Sequence, residues 1–188
     1  MLLKTILNRV HQIKGFVYTD VKFEEFPSLA ITVKIESRKN GKGRCSLCGA
    51  RCPGYDRLPE RRFEFIPLWN IPVLLLYRLR RVSCSKHGVV VEQIPWDKGK
   101  EQTTTAFQIF LSQWAKLLSW KEVALRFRTS WDTVCLSLKR VVEYGLEHRD
   151  LSNIESIGVD EIAIGKGHDY VTMVYQIDDA TKRLLWIG

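Results

Sequence analysis

The 188-residue chain lacks the long apolar runs of membrane proteins. No stretch reaches the about 18 consecutive apolar residues of a membrane-spanning helix, which excludes a membrane span at the level of sequence. The start of the chain, MLLKTILN, becomes polar too soon for a secretory signal. In a chain without such a signal, the cysteines are expected to be reduced and able to bind metal. We therefore expect a cytoplasmic protein with no membrane partner.

Acidic residues are scarce in most of the chain. Residues 1–154 carry 26 Lys and Arg against 15 Asp and Glu, which gives a net charge of +11. Residues 155–188 carry 3 against 6, which gives −3. Excess positive charge can neutralise phosphates, whereas the acidic end cannot do so. The basic part therefore favours a nucleic acid partner, and the character of the chain changes near residue 150.

Two short pairs of metal-binding residue types lie in the basic part. Cys45 and Cys48 form a C-x2-C pair, and Cys84 and His87 form a C-x2-H pair. A glycine follows each pair and relaxes the backbone of the tight turn. Together the pairs supply the four thiolate and imidazole ligands of a closed tetrahedral zinc site. The 35 residues between the pairs predict strands inside this module.

Alternatives remain open beside this zinc prediction. The cysteines could be buried free thiols that act as small apolar residues, although two pairs in one chain make this less favourable. Cys52 could compete with Cys48 as a ligand, whereas Cys135 lies in a helical pattern and is predicted to pack. Residues 38–62 contain eight basic and two acidic residues, which predicts either a solvated basic surface or a patch that contacts the DNA backbone.

Residues 101–150 carry the periodicity of helices. Ser119 and Glu122 match a capping box that starts a short helix over residues 120–127, and Ser130 can cap a third helix. A short capped helix, a tight turn and a second capped helix are the pattern of a helix-turn-helix, and an ordinary three-helix bundle is the alternative.

In a helix-turn-helix, the N-terminal residues of the third helix reach base edges. The residues placed for that contact are Ser130, Trp131, Asp132 and Thr133. Trp131 could instead pack on the helices. Lys139 and Arg140 are predicted to contact phosphates. Arg128 stands in the turn where glycine is favoured, and a left-handed conformation there would cost about 1 kcal/mol.

Residues 155–188 change to strand patterns over residues 157–162, 170–177 and 183–187. Three successive strands with a carboxylate in the first are how a ribonuclease-H-like core opens, although acidic residues in strands are commonly only solvated. The predicted fold class is therefore α+β and multidomain. It comprises a small β-rich zinc-binding module, a three-helix helix-turn-helix domain and the first three strands of a ribonuclease-H-like core.

The order of these motifs resembles the ISL-three group of bacterial insertion-sequence transposases. The likeness includes both metal-ligand pairs and the segments WAK (114–116), VEYGL (142–146), IGVDE (157–161), VYQID (174–178) and LLWIG (184–188). It extends over essentially the whole chain. The resemblance implies an N-terminal strand region, a zinc-binding module, a DNA-binding helix-turn-helix domain and the beginning of a DDE-type catalytic core. These four parts correspond to residues 1–42, 43–96, 97–150 and 151–188.

By that resemblance the zinc ligands are Cys45, Cys48, Cys84 and His87, and the family commonly has cysteine where His87 stands. Asp160 corresponds to the first catalytic carboxylate. DDE enzymes use three carboxylates to hold two Mg²⁺ or Mn²⁺ ions. The family's second aspartate and its glutamate lie further downstream. Asp178 and Asp179 fall in a hairpin turn, and Glu161 points to the face of the strand opposite Asp160.

The sequence therefore predicts the DNA-binding N-terminal part of an insertion-sequence transposase that is catalytically incomplete as it stands. Its predicted partner is double-stranded DNA from the terminal repeats of the element. A stand-alone zinc-dependent regulator or repressor of transposition is the alternative, and a zinc-stabilised protein-interaction module is a third reading. Three strands without cover leave an apolar face and a sheet edge open, which invites homo-oligomers or local disorder.

Overall fold

A computed structural model describes residues 2–25, 28–97, 101–165, 167, 169–178 and 181–188. The chain divides into two compact units, the first ending at Glu143 and the second beginning at Tyr144. The structure is α+β, as the sequence predicts. Its helices are α1 (Leu3–Val10), α2 (Thr105–Trp114), α3 (Trp120–Phe127) and α4 (Trp131–Glu147). Among the described residues, no helix combines the length and the apolar character needed to cross a membrane.

The first unit contains a mixed five-stranded sheet and a two-stranded hairpin. Its strands are β1 (Phe16–Glu24), β2 (Ala30–Ser37), β3 (Gly43–Arg44), β4 (Arg51–Cys52), β5 (Gly54–Leu68), β6 (Ile71–Cys84) and β7 (Gly88–Val91). The five-stranded sheet has the order β1-β2-β6-β5, and β7 also pairs with β6. Strands β2 and β6 are parallel, whereas the other neighbours are antiparallel.

The pairing of β2 with β6 crosses the sequence-based boundary between residues 42 and 43. Strands from both sides of that boundary bury their apolar side chains in one core, in which Ile31, Phe63 and Leu75 have no exposed surface. The predicted N-terminal strand region and the β-rich part of the predicted zinc module therefore share a sheet. The physical reason is that alternating apolar residues in β2 and β6 each leave one face that only the shared core covers.

A two-residue turn connects β5 and β6, the longest strands of the sheet. Trp69 and Asn70 form it with φ of 50° and 64°, between the paired residues Leu68 and Ile71. Two successive positive φ values match the right-handed twist of a tight hairpin. Asparagine adopts this conformation readily, whereas tryptophan does so at a cost of about 1–2 kcal/mol.

A buried carboxylate lies at the end of this sheet. Glu92 is 3% exposed and accepts hydrogen bonds from the Tyr77 hydroxyl at 2.6 Å and from the Arg80 backbone N–H at 2.9 Å. The Arg80 guanidinium donates to the same carboxylate at 2.7 and 2.9 Å. Each oxygen of the Glu92 carboxylate therefore accepts two hydrogen bonds, as a buried charge requires.

Helices α2, α3 and α4 share a second core in the first unit. Its buried members are Phe107, Leu111, Val123, Ala124 and Val134. The predicted capping box is confirmed, because Ser119 and Glu122 each accept from the other's backbone N–H. The predicted bounds of α3 are also confirmed, and Arg128 ends that helix in the left-handed conformation with φ 53° and ψ 39°.

The second unit contains the strands β8 (Ile157–Ala163), β9 (Tyr170–Asp178) and β10 (Thr181–Ile187), which form an antiparallel sheet in the order β10-β9-β8. These strands match the three predicted from the sequence. Within the described part of this unit, the buried side chains are those of Gln176 and Leu185. Asp178 accepts hydrogen bonds from the backbone N–H groups of Ser156 and Glu155. Asp179 lies outside the described residues.

Candidate metal centre and nucleic-acid interface

The two predicted ligand pairs come together at one end of the large sheet. The ligand atoms of Cys45, Cys48, Cys84 and His87 all lie within 4.8 Å of one another. His87 Nδ1 lies 3.6 Å from the sulfurs of both Cys45 and Cys84, and the sulfurs of Cys48 and Cys84 are 3.8 Å apart. This group could hold a metal ion.

These separations are close to those of a tetrahedral zinc site. With Zn–S of about 2.3 Å and Zn–N of about 2.05 Å, tetrahedral angles place two sulfurs about 3.8 Å apart and a sulfur and a nitrogen about 3.6 Å apart. The donor set of three thiols and one imidazole nitrogen also suits zinc. Distances and donor types therefore fit the ion that the sequence predicts.

The backbone around each pair holds its side chains on one side of a tight turn. The Cys45 N–H donates to the Ala50 carbonyl at 2.8 Å, and the Gly49 N–H donates to the Cys45 carbonyl at 2.9 Å. Gly49 and Gly88 have φ of 70° and 69°, which confirms the predicted reason for a glycine after each pair. Cys84 ends β6 and pairs with Gly88 at the start of β7.

At Cys84 and Cys45, local hydrogen bonds favour the deprotonated thiolate that a metal needs. The backbone N–H of Lys86 lowers the pKa of the Cys84 thiol to about 6. Burial acts to raise the pKa of Cys45, but hydrogen bonds from the backbone N–H groups of Cys48 and Leu47 outweigh it and lower that pKa. Hydrogen bonds with the sulfurs of Cys84 and Cys45 raise the pKa of His87.

Cys52, the competing thiol, lies outside the group of four ligand atoms. It is buried, its Sγ lies 3.4 Å from the Ala50 carbonyl, and it packs with Val82 beside Cys45 and Cys84. Burial raises the pKa of this thiol. Cys52 therefore behaves as a packing residue in this geometry.

The backbone at Glu92 and Gln93 joins this candidate centre to the sheet. Cys45 forms an isolated β-bridge with Glu92, and the Gln93 N–H donates to the Arg44 carbonyl at 2.8 Å. The sequence analysis missed Glu92. The signal that could have indicated it is a single acidic residue at the end of the apolar run VVV at residues 89–91.

The residues predicted to reach base edges lie at the start of α4. The Ser130 hydroxyl accepts from the Thr133 N–H at 3.0 Å and lies 2.8 Å from the Thr133 hydroxyl, so it caps α4 as predicted. Asp132 is exposed. The ring of Trp131 is half exposed and lies 5.7 Å from the ring of Trp120, which means that it combines packing with an accessible face.

The two residues predicted to contact phosphates differ in their surroundings. Lys139 is exposed. The Arg140 guanidinium forms an ion pair with Glu101 at 2.5 Å. A phosphate at Arg140 would therefore compete with a carboxylate already in place, whereas Lys139 has no such partner among the ion pairs of the described residues.

Asp160, the residue predicted to be catalytic, lies on the edge strand β8. Its side chain is exposed and accepts a hydrogen bond from the Glu161 N–H at 2.9 Å. Among the described residues, it belongs to no group of three or more side chains that could hold a metal ion. The Asp160 side chain is therefore open to solvent and to a ligand.

Comparison with known proteins identifies relatives among insertion-sequence transposases. The chain is 27% identical over 189 aligned residues to the transposase of insertion sequence element IS1001 from Bordetella parapertussis, with 100% of this chain and 46% of the relative covered. It is 29% identical over 178 residues to the transposase of element IS1557 from Mycobacterium tuberculosis, with 92% of this chain and 40% of the relative covered. No protein-family model matches the chain, and no solved structure matches it.

The chain thus spans less than half the length of the curated relatives it matches. The alignment with the IS1001 transposase covers the whole chain, and so it spans the segments that contain the candidate metal centre and the helices. These similarities support an insertion-sequence transposase.

Proposed function

We propose that this chain is the DNA-binding N-terminal part of an insertion-sequence transposase of the ISL-three group. The observation that carries the proposal is similarity over 92–100% of the chain to two proteins named as insertion-sequence transposases. Three features of the structure support it: a candidate metal centre, a capped pair of helices with an accessible N-terminus, and a three-stranded sheet with an exposed aspartate. Each feature has its own role and its own test.

The proposed role of the metal centre is structural. Three cysteines and a histidine would hold one Zn²⁺ in a closed site, with no position left for a substrate. The bound ion would fasten β3 and β4 to the end of β6, because the ligands come from those two places in the chain. Hairpin β3–β4 pairs only two residues on each strand and has little core of its own, so its order would depend on the ion.

Metal analysis of the purified chain tests this role. We expect about one Zn²⁺ per chain, and loss of that zinc in Cys45→Ser and Cys84→Ser. The matched control is Cys52→Ser, which should keep the metal because Cys52 lies outside the group of ligand atoms. Zinc content near zero in the unmodified chain, or unchanged content in both ligand variants, would contradict the role.

The proposed role of α3 and α4 is to bind double-stranded DNA as a helix-turn-helix. The supporting geometry is a three-residue turn, a capped α4 and exposed side chains at the start of α4. We infer that Asp132 and the accessible face of Trp131 read base edges in the terminal repeats. Ser130 and Thr133 act mainly by capping the N-terminus of α4, because the Ser130 hydroxyl accepts from the Thr133 N–H and bonds to the Thr133 hydroxyl.

A binding titration with duplexes from the element's ends tests this role. Asp132→Ala should change the preference among sequences, whereas Lys139→Ala should weaken binding to all sequences alike. Arg140→Ala should have a smaller effect than Lys139→Ala, because its guanidinium is committed to Glu101. Unchanged sequence preference in Asp132→Ala combined with unchanged affinity in Lys139→Ala would exclude this surface.

The proposed role of β8, β9 and β10 is to begin a ribonuclease-H-like DDE core with Asp160 as its first carboxylate. A complete site of this kind uses Mg²⁺ or Mn²⁺ to activate the attacking hydroxyl and to stabilise the leaving oxygen. Asp160 alone would not hold two ions about 4 Å apart. We therefore expect residues 1–188 to bind DNA without cleaving or joining it.

An assay of DNA cleavage and strand transfer in Mg²⁺ and in Mn²⁺ tests this expectation. No product should form with the chain of 188 residues. Metal-dependent product that disappears in Asp160→Asn, but persists in Glu161→Gln, would show that the other carboxylates are present and that this expectation is wrong.

A further inference from the structure

A basic cleft lies beside the candidate metal centre in the first unit. It has a volume of about 690 Å³ and is formed where the turn before β1, the loop before β3 and the hairpin β3–β4 meet. Its basic lining residues are Lys14, Lys42, Arg44, Arg51 and Arg80. The proposed roles of zinc, α3–α4 and Asp160 do not use this cleft.

The walls of the cleft are fixed by backbone hydrogen bonds. The Arg38 N–H donates to the Gly15 carbonyl at 2.9 Å, and the Gly41 N–H donates to the Arg38 carbonyl at 2.8 Å. The Arg80 guanidinium donates to the Gly41 carbonyl at 2.7 Å. A Cβ atom on Gly43 would lie 2.6 Å from a Val82 methyl group, so β3 lies close against β6. The cleft is therefore part of the folded scaffold.

The positive charge in the cleft is not balanced within it. Its acidic lining residue, Glu92, is buried and already neutralised by Arg80. The remaining four basic side chains are exposed, and none forms an ion pair with the described residues. Four uncompensated charges around one concave surface attract anions more strongly than the same charges on a convex surface.

Two of these charges lie directly opposite each other. Arg44 and Arg51 are the paired residues of the hairpin β3–β4. Like charges in directly opposite positions destabilise a strand pair. An anion between them would relieve that repulsion, and guanidinium groups bind phosphate oxygens through two parallel hydrogen bonds.

We propose that this cleft binds the phosphate backbone of DNA and forms a second contact surface, separate from α3 and α4. A polynucleotide fits better than a free nucleotide, because the one aromatic lining residue, Phe16, is buried and leaves no platform for a base. The contact is independent of sequence, since it involves charge and backbone geometry only. This proposal rests on the proposed DNA binding of the chain and not on the proposed role of α4.

The experiment measures how the affinity of the full chain for a duplex changes with salt. Each lost phosphate contact lowers the slope of log K against log salt by about 0.9. Lys14→Gln/Lys42→Gln should therefore lower the slope by about 2 and weaken binding at least about tenfold at 0.1 M salt. Neither lysine side chain forms a hydrogen bond or an ion pair with the described residues, so the variant should fold normally. Arg44→Gln/Arg51→Gln should lower the slope and the affinity by the same amounts.

Lys4→Gln/Arg9→Gln is the matched control. It removes the same charge from exposed positions on α1 outside the cleft, and it should leave the slope nearly unchanged. An equal loss of slope in the control and in the cleft variants would overturn the proposal. So would an unchanged slope in both cleft variants. If Lys139→Ala weakens binding while the cleft variants do not, α4 binds DNA and the cleft does not.

Two further ligands distinguish DNA from other anions. Inorganic phosphate at matched ionic strength should neither raise Tm nor displace the duplex, and polyglutamate should compete weakly and equally against all variants. Phosphate binding that is lost in the cleft variants would assign the cleft to a small anion. Polyglutamate binding with the same variant dependence as the duplex would assign it to an acidic protein segment. Either result would replace the proposal.

Discussion

The two larger sheets of this protein contain similar strand-forming residues but differ in what they bury. In the first unit, Val73 and Leu75 of β6 are at most 1% exposed beneath a core that includes Trp96. In the second unit, Val159 and Ile162 of β8 are 64% and 47% exposed. Both sheets consist of hydrogen-bonded strand pairs and both contain irregularities in register, so pairing alone does not account for the difference in burial. The local sequence pattern predicts the strands of the second unit, whereas stability depends on the apolar area that the rest of the fold covers.

The largest expected difference between the units is in hydrogen exchange. Amides in the centre of β6, such as that of Leu75, should exchange only through global unfolding. The amide of Val174 in β9 should exchange at least about a thousandfold faster, because local opening of an uncovered sheet costs little. NMR at two protein concentrations measures the exchange rates of both amides, those of Leu75 and Val174. Equal protection at the lower concentration would contradict the comparison, and protection of β9 only at the higher concentration would indicate pairing between copies.

The next largest effect should follow removal of the buried carboxylate. Glu92→Ala leaves the Arg80 guanidinium without its partner, and we expect it to lower the free energy of unfolding of the first unit by about 4 kcal/mol. Glu161→Ala, on the exposed strand β8, is the control and should change that free energy by less than about 0.5 kcal/mol. Urea unfolding followed by circular dichroism measures both variants. A loss below about 1 kcal/mol in Glu92→Ala would show that the carboxylate network is not needed for stability.

A leucine in each sheet gives a direct comparison of side-chain burial. Leu75→Ala should lower the free energy of unfolding by about 3 kcal/mol, through lost transfer energy and the cavity left behind. Leu184→Ala, in a position that is 50% exposed, should cost less than about 1 kcal/mol. Equal losses in the two variants would mean that the sheet of the second unit is covered in solution.

The smallest effect concerns the helices of the first unit. Ser119→Ala removes the capping box of α3 and should lower the free energy of unfolding by about 1 kcal/mol. The loss should affect the first unit and leave the exchange rates of β8, β9 and β10 unchanged. Ser119→Asp is the control, because aspartate is also a favourable N-cap, and it should retain most of the stability.

Local patterns predicted the helical part and the strands of the second unit well. The bounds of α3 followed from Ser119 and Glu122, since a capping box is a contact between residues three positions apart. Both glycines after the ligand pairs were also predictable, because a positive φ favours glycine. The four candidate metal ligands followed from spacing alone, and the structure brings their ligand atoms together.

The features that the sequence did not reveal depend on distant contacts or on unfavourable local choices. Strands were predicted between the ligand pairs, but β5 was not located, because irregularities in its pairing, between Arg57 and Glu60 for example, break the alternation of apolar residues. The turn between β5 and β6 begins with Trp69, a residue type that disfavours positive φ. The ion pair of Arg140 with Glu101 and the basic cleft each join segments that only the complete fold brings together. The division of the chain into four domains stays a prediction.

The parallel pairing of β2 with β6 has a consequence for the order of folding. Hairpin β5–β6 closes through neighbouring residues and should form within microseconds, whereas Ile31 must find Val73 across a connection that contains β3, β4 and β5. Closing that long loop should be the slow step. An ion held between Cys45 and Cys84 would shorten the free part of the loop before β2 docks. Chains refolded with metal should therefore reach the native state faster than metal-free chains, even where their final stabilities are made equal with urea.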